Sequence, residues 1–253
     1  MLAKERQVYI LRRLQSQPFI AMSELCKELG ASKSTIQRDV NVLEEEGRVH
    51  RERGGIVQKE FAATMSDITE VPVLDKMEVN LEAKKDICRK AATCIQDGDL
   101  IFIDSGTTPV HLIPYILTRE VKIVTNCYFL LSRLGGCRAE VYMLGGRYVP
   151  KYEITIGPNT LEQLKEFRFD KAFIGANGFD LKLGEAYASD FEVGALKRAV
   201  MERSKHSYLL IDDSKFTRTG ISTFGYTHQF KKIFVNDFPK NLKGYKNIVN
   251  ASQ

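Results

Sequence analysis

Long apolar stretches are missing from this 253-residue sequence, and runs such as Tyr208-Leu209-Leu210-Ile211 fall far short of the ~20 residues that span a bilayer. The opening stretch MLAKERQVYILRRLQ interleaves charge with apolar residues, unlike the unbroken hydrophobic segment of a secretory signal. Cysteine is sparse: Cys26, Cys88, Cys94, Cys127 and Cys137 are odd in number and form no Cys-x-x-Cys pair. Reduced thiols in core positions, and hence a cytoplasmic protein, are expected. His50, His111, His206 and His228 are scattered without His-Glu-x-x-His or Cys–His spacing, so no metal site is expected. Neither Gly-x-x-x-x-Gly-Lys-Ser/Thr nor Gly-x-Gly-x-x-Gly occurs, and no cofactor is expected. Charge of one sign is also in short supply. The formal net charge is +5, and residues 1–57 carry ten Lys/Arg against eight Asp/Glu, or +2 of that total. Any case for a nucleic-acid partner therefore rests on arrangement.

What is present begins with three helical patterns. Val8, Ile10, Leu11 and Leu14 give the first an apolar stripe that ends before Pro18. The second is expected to run from a Ser23 N-cap to a stop at Gly30. The third opens at Ser32, and Ile36, Val40 and Leu43 form its inward stripe up to Gly47. RVHRERGGIV (48–57) then reads as two short strands around a turn at Arg53-Gly54-Gly55. Three short helices and a basic hairpin describe a winged helix-turn-helix. With its stripe buried, the third helix exposes Lys33, Ser34, Gln37, Arg38 and Asn41, the side-chain types that read bases and phosphates, and Thr35 is counted with them as DNA-binding. His50, Arg51 and Arg53 place positive charge on the wing. The bland alternative is a three-helix scaffold with an ordinary solvated face, which is how Glu44-Glu45-Glu46 reads.

Residues 58–79, with weak periodicity and Pro72, read as a linker between a DNA-binding domain (1–57) and a larger domain (80–253). The second domain opens with an amphipathic helix, LEAKKDICRKAATCIQ, stopped by Gly98. Apolar runs LIFI (100–103), KIVT (122–125), EVYML (140–144), KAFIG (171–175), SYLLI (207–211) and KIFV (232–235) follow, with helical spacing at 158–168 and 190–204. The fold class expected is α/β: a winged helix-turn-helix, then a mostly parallel sheet with its ligand site at the strand C-terminal ends. Five loops carry suitable residues: Asp104-Ser105-Gly106-Thr107-Thr108, Thr125-Asn126, Gly145-Gly146-Arg147, Gly175-Ala176-Asn177-Gly178 and Asp212-Asp213-Ser214-Lys215. Gly106 permits close backbone approach, Thr108 is placed to N-cap a helix, and Pro109 suits its first position. Exposed N–H groups there with the Thr107 hydroxyl make an anion nest, to which Lys215 adds a full charge, while Asp104 and Asn126 face hydroxyls. The alternative is a plain strand-to-helix turn in which the threonines cap and do nothing more. Pro114 is expected to shorten or kink the helix that follows.

The stretch ASKSTIQRDVNVLEEEGRVHRERGG (31–55) resembles the signature of the DeoR-type family of bacterial repressors. Ser32, Thr35, Ile36, Arg38, Asp39, Leu43, Glu44 and Gly47 match, whereas Gln37 replaces an arginine and Arg53 a histidine. Both departures fall on the reading face and wing, where they bear on operator sequence. DGDLIFIDSGTT, VTN, DKAFIGANGF, Glu192 with Lys197, and DDSKF resemble the family's sensor domain across most of the second half. The resemblance implies a fold similar to ribose-5-phosphate isomerase and a response to phosphorylated sugars or related metabolites. It implies a pocket including Asp104, Gly106, Thr107, Thr108, Asn126, Asn177, Glu192, Lys197 and Lys215, with Ser105 in the same loop. Homodimers or homotetramers on paired operator half-sites are implied as well.

Three functions then compete. The first is a repressor of a sugar-metabolism operon, released from double-stranded operator DNA by a phosphorylated sugar. The second is an isomerase-like enzyme carrying a DNA-binding head, for which Asp190, Glu192 and Lys197 are the available groups. Glu192 and Lys197 stand about 140° apart around a helix, so they do not share a face. The third, a sugar kinase using Asp-x-Gly-Thr-Thr, is the weakest, because a helical segment with Pro109 follows the motif where the kinase loop turns between two strands. The DNA-binding head makes a non-enzymatic sensor the simpler account.

Overall fold

The computed structural model describes residues 3–16, 19–46, 48–52, 55–58, 76–77, 79–237 and 246–252, and the chain divides into two units, 1–69 and 70–253. In the first unit, α1 (Ala3–Ser16), α2 (Met22–Leu29) and α3 (Lys33–Glu45) pack around Ile10, Leu14, Leu25, Ile36, Val40 and Leu43. The Ser32 side chain accepts the Thr35 N–H and starts α3, and Gly30 ends α2 with φ 56°, a left-handed cap that favours glycine. Two local expectations are corrected. α2 is preceded by Ala21 with no side-chain cap, which puts Ser23 inside the helix, and Val8 is 47% exposed, off the buried stripe. The hairpin of β2 (Val49–Glu52) and β3 (Gly55–Gln58) gains a third strand, β1 (Phe19–Ala21), in the antiparallel order β1-β3-β2. β1 is only three residues long, too short for alternation to announce it. The unit is a winged helix-turn-helix. Asp39, on the buried side of α3, accepts from Arg6 Nε at 2.6 Å and Nη2 at 3.2 Å, tying α1 to α3.

The second unit is built on seven strands, all paired parallel: β4 (Leu100–Ile103), β5 (Lys122–Thr125), β6 (Glu140–Met143), β9 (Phe169–Gly175), β12 (Ser204–Leu210), β14 (Lys232–Val235) and β15 (Ile248–Asn250). Their order is β15-β14-β12-β9-β4-β5-β6. Both faces are covered, so these strands read as continuous apolar runs instead of alternating. Ile101 and Ile103 join one core with Ile87, Ile123 and Phe173, while Phe102 joins the other with Val124, Ala172 and Ile174. Helix α4 (Leu81–Ala92) ends before the expected stop, and Gly98, at φ 87°, instead turns the chain into β4. Met77, within the stretch read as linker, is buried in this unit's core.

Between these strands lie α5 (Tyr128–Leu131), the hairpin of β7 (Arg147–Val149) and β8 (Ile154–Ile156), and α6 (Pro158–Leu164). β10 (Gly178–Asp180), β11 (Glu185–Ala188) and β13 (Ser222–Tyr226) form a small antiparallel sheet, and α7 (Phe191–Glu202) is N-capped by Asp190. After β4 the expected α-helix is a 3₁₀ helix, Pro109–Tyr115. The Pro114 ring would clash with the carbonyl four residues back in an α-helix, which disfavours that winding here. Among the described residues no helix is long and apolar enough to cross a membrane.

Candidate functional site

In the parallel sheet, β4 and β9 are neighbours whose chains leave in opposite directions, β4 toward β5 and β9 toward β12. Such a switch point opens a crevice at the strand C-terminal ends. Asp104, 2% exposed, directly follows β4 there. Its Oδ2 accepts from the Gly175 N–H at 2.9 Å and from Lys197 Nζ at 2.9 Å, and Lys197 also donates to the Gly175 carbonyl at 2.6 Å. A buried carboxylate and ammonium are thus paired and hydrogen-bonded, as burial of charge requires. A Cβ on Gly106 would lie 3.1 Å from Pro109 Cδ, 3.3 Å from Asp104 Oδ2 and 3.4 Å from the Gly175 Cα, so the two loops meet backbone to backbone.

Above this pair lies a cavity of about 100 Å³ lined by residues 105–108, 175–177, Ser189, Lys197 and Lys215, with Lys76 and Tyr152. Among the described residues, the N–H groups of Ser105, Gly106, Thr107 and Thr108 donate to no protein acceptor. Lys215 sits on a 3₁₀ turn, Asp213–Thr217, capped by Asp212, whose carboxylate accepts from Ser214 N at 3.1 Å and Asn80 Nδ2 at 2.9 Å. Burial pushes the Lys215 ammonium down to about 8, and Asp212 only partly offsets this against Arg218, Lys76 and Lys84. Burial would raise Asp212, but Lys215, the Ser214 hydroxyl and Asn80 outweigh it and hold its carboxyl below the usual range. A cation that has lost part of its solvation beside four unpaired N–H groups is suited to an anion.

The fold brings Ser105, Gly106, Thr107, Thr108, Asn177, Lys197 and Lys215 together at one cavity. Asp104 lies beneath it, committed to Lys197 and Gly175 instead of turned toward a ligand hydroxyl. Asn126, 1% exposed, donates from Nδ2 to the Thr155 carbonyl at 2.9 Å and does not line the cavity. Its Oδ1 has no partner among the described residues. Glu192 is exposed and paired with Arg147 from the β7 strand. Thr108 caps nothing with its side chain, and its carbonyl accepts from the Cys88 thiol at 3.0 Å. Burial pushes that thiol well up, so it stays protonated. His111 is also neutral, since burial, then Arg133, Lys84 and Lys85, pushes it down to about 4. No group of three or more His, Cys, Asp or Glu suited to a metal occurs among the described residues. Lys76 and Tyr152 were missed because one lies in the supposed linker and the other in an unforeseen hairpin.

On the winged helix, Lys33, Ser34, Gln37, Arg38 and Asn41 are all exposed along α3. Thr35 is half-buried in the cap, its hydroxyl 2.9 Å from Ser32 Oγ. Arg51 leaves the wing for α3: its Nη2 donates to the Gln37 carbonyl at 2.9 Å and to Asn41 Oδ1. Glu44, read as part of a solvated face, accepts the Arg51 N–H at 3.1 Å and lies 3.5 Å from Arg51 Nε. The His50 side chain and Arg53 lie outside the described residues.

A winged helix with an exposed polar face on its third helix, joined in one chain to a parallel sheet with a switch-point pocket, has the make-up of a ligand-responsive transcriptional regulator, and the comparisons agree. Residues 6–60 match the DeoR-like helix-turn-helix domain and residues 79–237 the DeoR C-terminal sensor domain. The chain belongs to the DeoR family. It is 35% identical, over 88% of its length and 87% of the relative's, to a protein of Bacillus subtilis (strain 168) named uncharacterized HTH-type transcriptional regulator FruR. It is 30% identical to the glycerol-3-phosphate regulon repressor of Escherichia coli (strain K12), covering 93% of this chain and 91% of that one. The lactose phosphotransferase system repressor of Staphylococcus epidermidis is also 30% identical, at 88% and 89% coverage. Among solved structures, ribose 5-phosphate isomerase A of Methanocaldococcus jannaschii aligns with 54% of each chain at TM-score 0.41 and 15% identity.

Proposed function

We propose that this regulator represses a carbohydrate-metabolism operon and leaves its operator when a phosphorylated sugar occupies the switch-point pocket. The observation that carries the proposal is the row of four unpaired N–H groups at residues 105–108 lining one cavity with Lys215 and Lys197. A phosphate dianion accepts several hydrogen bonds at once and needs a nearby cation, and this loop with Lys215 offers both. The names of two relatives point the same way, one a glycerol-3-phosphate regulon repressor and one a lactose phosphotransferase system repressor. Lys33, Ser34, Gln37, Arg38 and Asn41 read the operator from the exposed side of α3. The active form is a homodimer or homotetramer on paired half-sites.

Turnover is disfavoured by Asp104, whose carboxylate is engaged by Lys197 and Gly175, and by Glu192, which points to Arg147 outside the cavity. Neither is a free base beside a sugar carbonyl. The test is a thermal-shift screen of sugar phosphates against their unphosphorylated sugars, with operator binding repeated for each hit. A phosphorylated ligand that raises the melting temperature, releases operator and is recovered unchanged is the expected result. Stabilisation by the unphosphorylated sugars alone would refute the phosphate assignment, and consumption of the ligand would favour the isomerase-like alternative.

A further inference from the structure

The wing and the recognition helix are joined by one arginine, and the join dictates what Asn41 has to offer DNA. Arg51 is held at four points: its N–H on Glu44 Oε1, its Nε 3.5 Å from Glu44 Oε2, and its Nη2 on both the Gln37 carbonyl and Asn41 Oδ1. A guanidinium only donates, so the Asn41 amide must turn its oxygen toward Arg51; the flipped amide would set N–H against N–H. Asn41 Nδ2 makes no hydrogen bond among the described residues, and the side chain is exposed. Resting on the operator-reading role proposed for α3, we infer that Arg51 is a positioning residue that makes Asn41 a donor-only reader, selecting guanine over adenine, and that Arg51 itself neutralises no DNA phosphate.

The chemistry follows from the groove edges. Asparagine reads adenine by giving N–H to N7 and taking the N6 amino hydrogen, and this needs its oxygen free. The amide oxygen has a second lone pair, but with the oxygen turned onto the Arg51 guanidinium the exposed NH₂ is the part of the amide left without a partner, and the adjacent N7 and O6 acceptors of guanine suit it. The Arg51 charge is likewise spent, on Glu44 and on the end of the Gln37 carbonyl dipole.

The experiment selects preferred duplexes from a random pool with the full-length protein, then measures their binding across a salt series for three variants. Asn41→Ala identifies the base pair that Asn41 reads as the position where discrimination is lost. The wild type is expected to require guanine there, by about tenfold over adenine. Asn41→Asp keeps the oxygen contact with Arg51 but replaces the donor, and should move the preference to cytosine, whose N4 donates. Arg51→Ala frees the amide and should let adenine in at that position, with the slope of log K against log salt unchanged. A slope smaller by about one in Arg51→Ala would mean a lost phosphate contact and would overturn the inference. So would a wild-type requirement for adenine, or a loss of discrimination at no position in Asn41→Ala. If Arg51→Ala fails to fold, as a melting scan of the full chain would show, Asn41→Asp still decides the base preference. A selection that enriches no duplex at all contradicts the operator-reading role itself and is thereby told apart from these outcomes.

Discussion

At the scale of single residues, the candidate pocket is a matter of which charges are already spoken for. Lys197 is held by Asp104 and Gly175, whereas Lys215 has no ion-pair partner within 4.0 Å among the described residues. With its ammonium pushed down to about 8 by burial, Lys215 loses its proton just above neutrality. A bound phosphate dianion requires that proton, so affinity for the effector is expected to fall about tenfold between pH 7 and pH 9. The sign for stability is opposite: the folded, ligand-free protein binds fewer protons than the unfolded chain between about 8 and 10.5, so its stability rises with pH across that window. Lys215→Arg keeps the charge at all these values and should flatten the affinity profile. Titration calorimetry with a sugar phosphate at the two pH values checks both, and a flat wild-type profile would remove Lys215 from the phosphate site. The loop residues and Lys215 were legible because small, hydroxyl and cationic residues follow strands β4, β9 and β12. The Asp104–Lys197 pair was not, since nothing in local sequence says that residues 93 positions apart share a hydrogen bond.

At the scale of elements, helix caps and close backbone contacts control how the functional side chains are held. Ser32 is the only side chain that takes up the Thr35 N–H at the start of α3 among the described residues. Ser32→Ala should destabilise the first unit by about 1 kcal/mol in chemical denaturation, with weaker operator binding as the start of α3 frays. An unchanged denaturation midpoint would show that the cap contributes nothing. In the second unit, a Cβ on Gly178 of β10 would stand 2.0 Å from the Arg218 carbonyl oxygen and 2.9 Å from the Thr219 nitrogen. Gly178→Ala must therefore push away the segment that carries Lys215, at a cost of about 1–3 kcal/mol. Effector binding should weaken severalfold while operator binding persists, a split that parallel thermal-shift and anisotropy measurements would reveal. The main-sheet strands other than β15, and the helices, were readable from apolar runs and caps such as Ser32 and Asp190, because burial on both sheet faces leaves a strong local pattern. β1, β15, the β7–β8 hairpin and the small sheet were not, because short strands without a continuous apolar run are set by their partners. The 3₁₀ helix was half visible: Pro114 announced a defect, but its form depended on the packing of Val110, Leu112 and Ile113 into the core.

For the molecule as a whole, the two units need only share a free energy to act as a switch. If the effector lowers operator affinity by some factor, the operator must lower effector affinity by the same factor, because both describe one thermodynamic cycle. Moving the protein from mostly bound to mostly free requires an overall preference of about 10⁴, or roughly 5.5 kcal/mol, for the effector in the DNA-free state. Several N–H donors and one or two lysines per pocket, summed over the subunits of the proposed oligomer, are of the right size to supply it. The expected outcome is that the effector dissociation constant, measured by calorimetry with and without saturating operator duplex, changes by the ratio seen when operator affinity is measured with and without effector. Lys215→Ala should bring both ratios to one while leaving operator affinity in the absence of effector intact, since the residue lies in the sensor unit. Arg38→Ala should do the reverse, weakening the operator by an amount of order 1–3 kcal/mol and leaving the effector constant of the DNA-free protein unchanged. Unequal ratios in the wild type would mean that the ligand and the operator do not act on one equilibrium, and that release has a cause other than occupancy of this pocket.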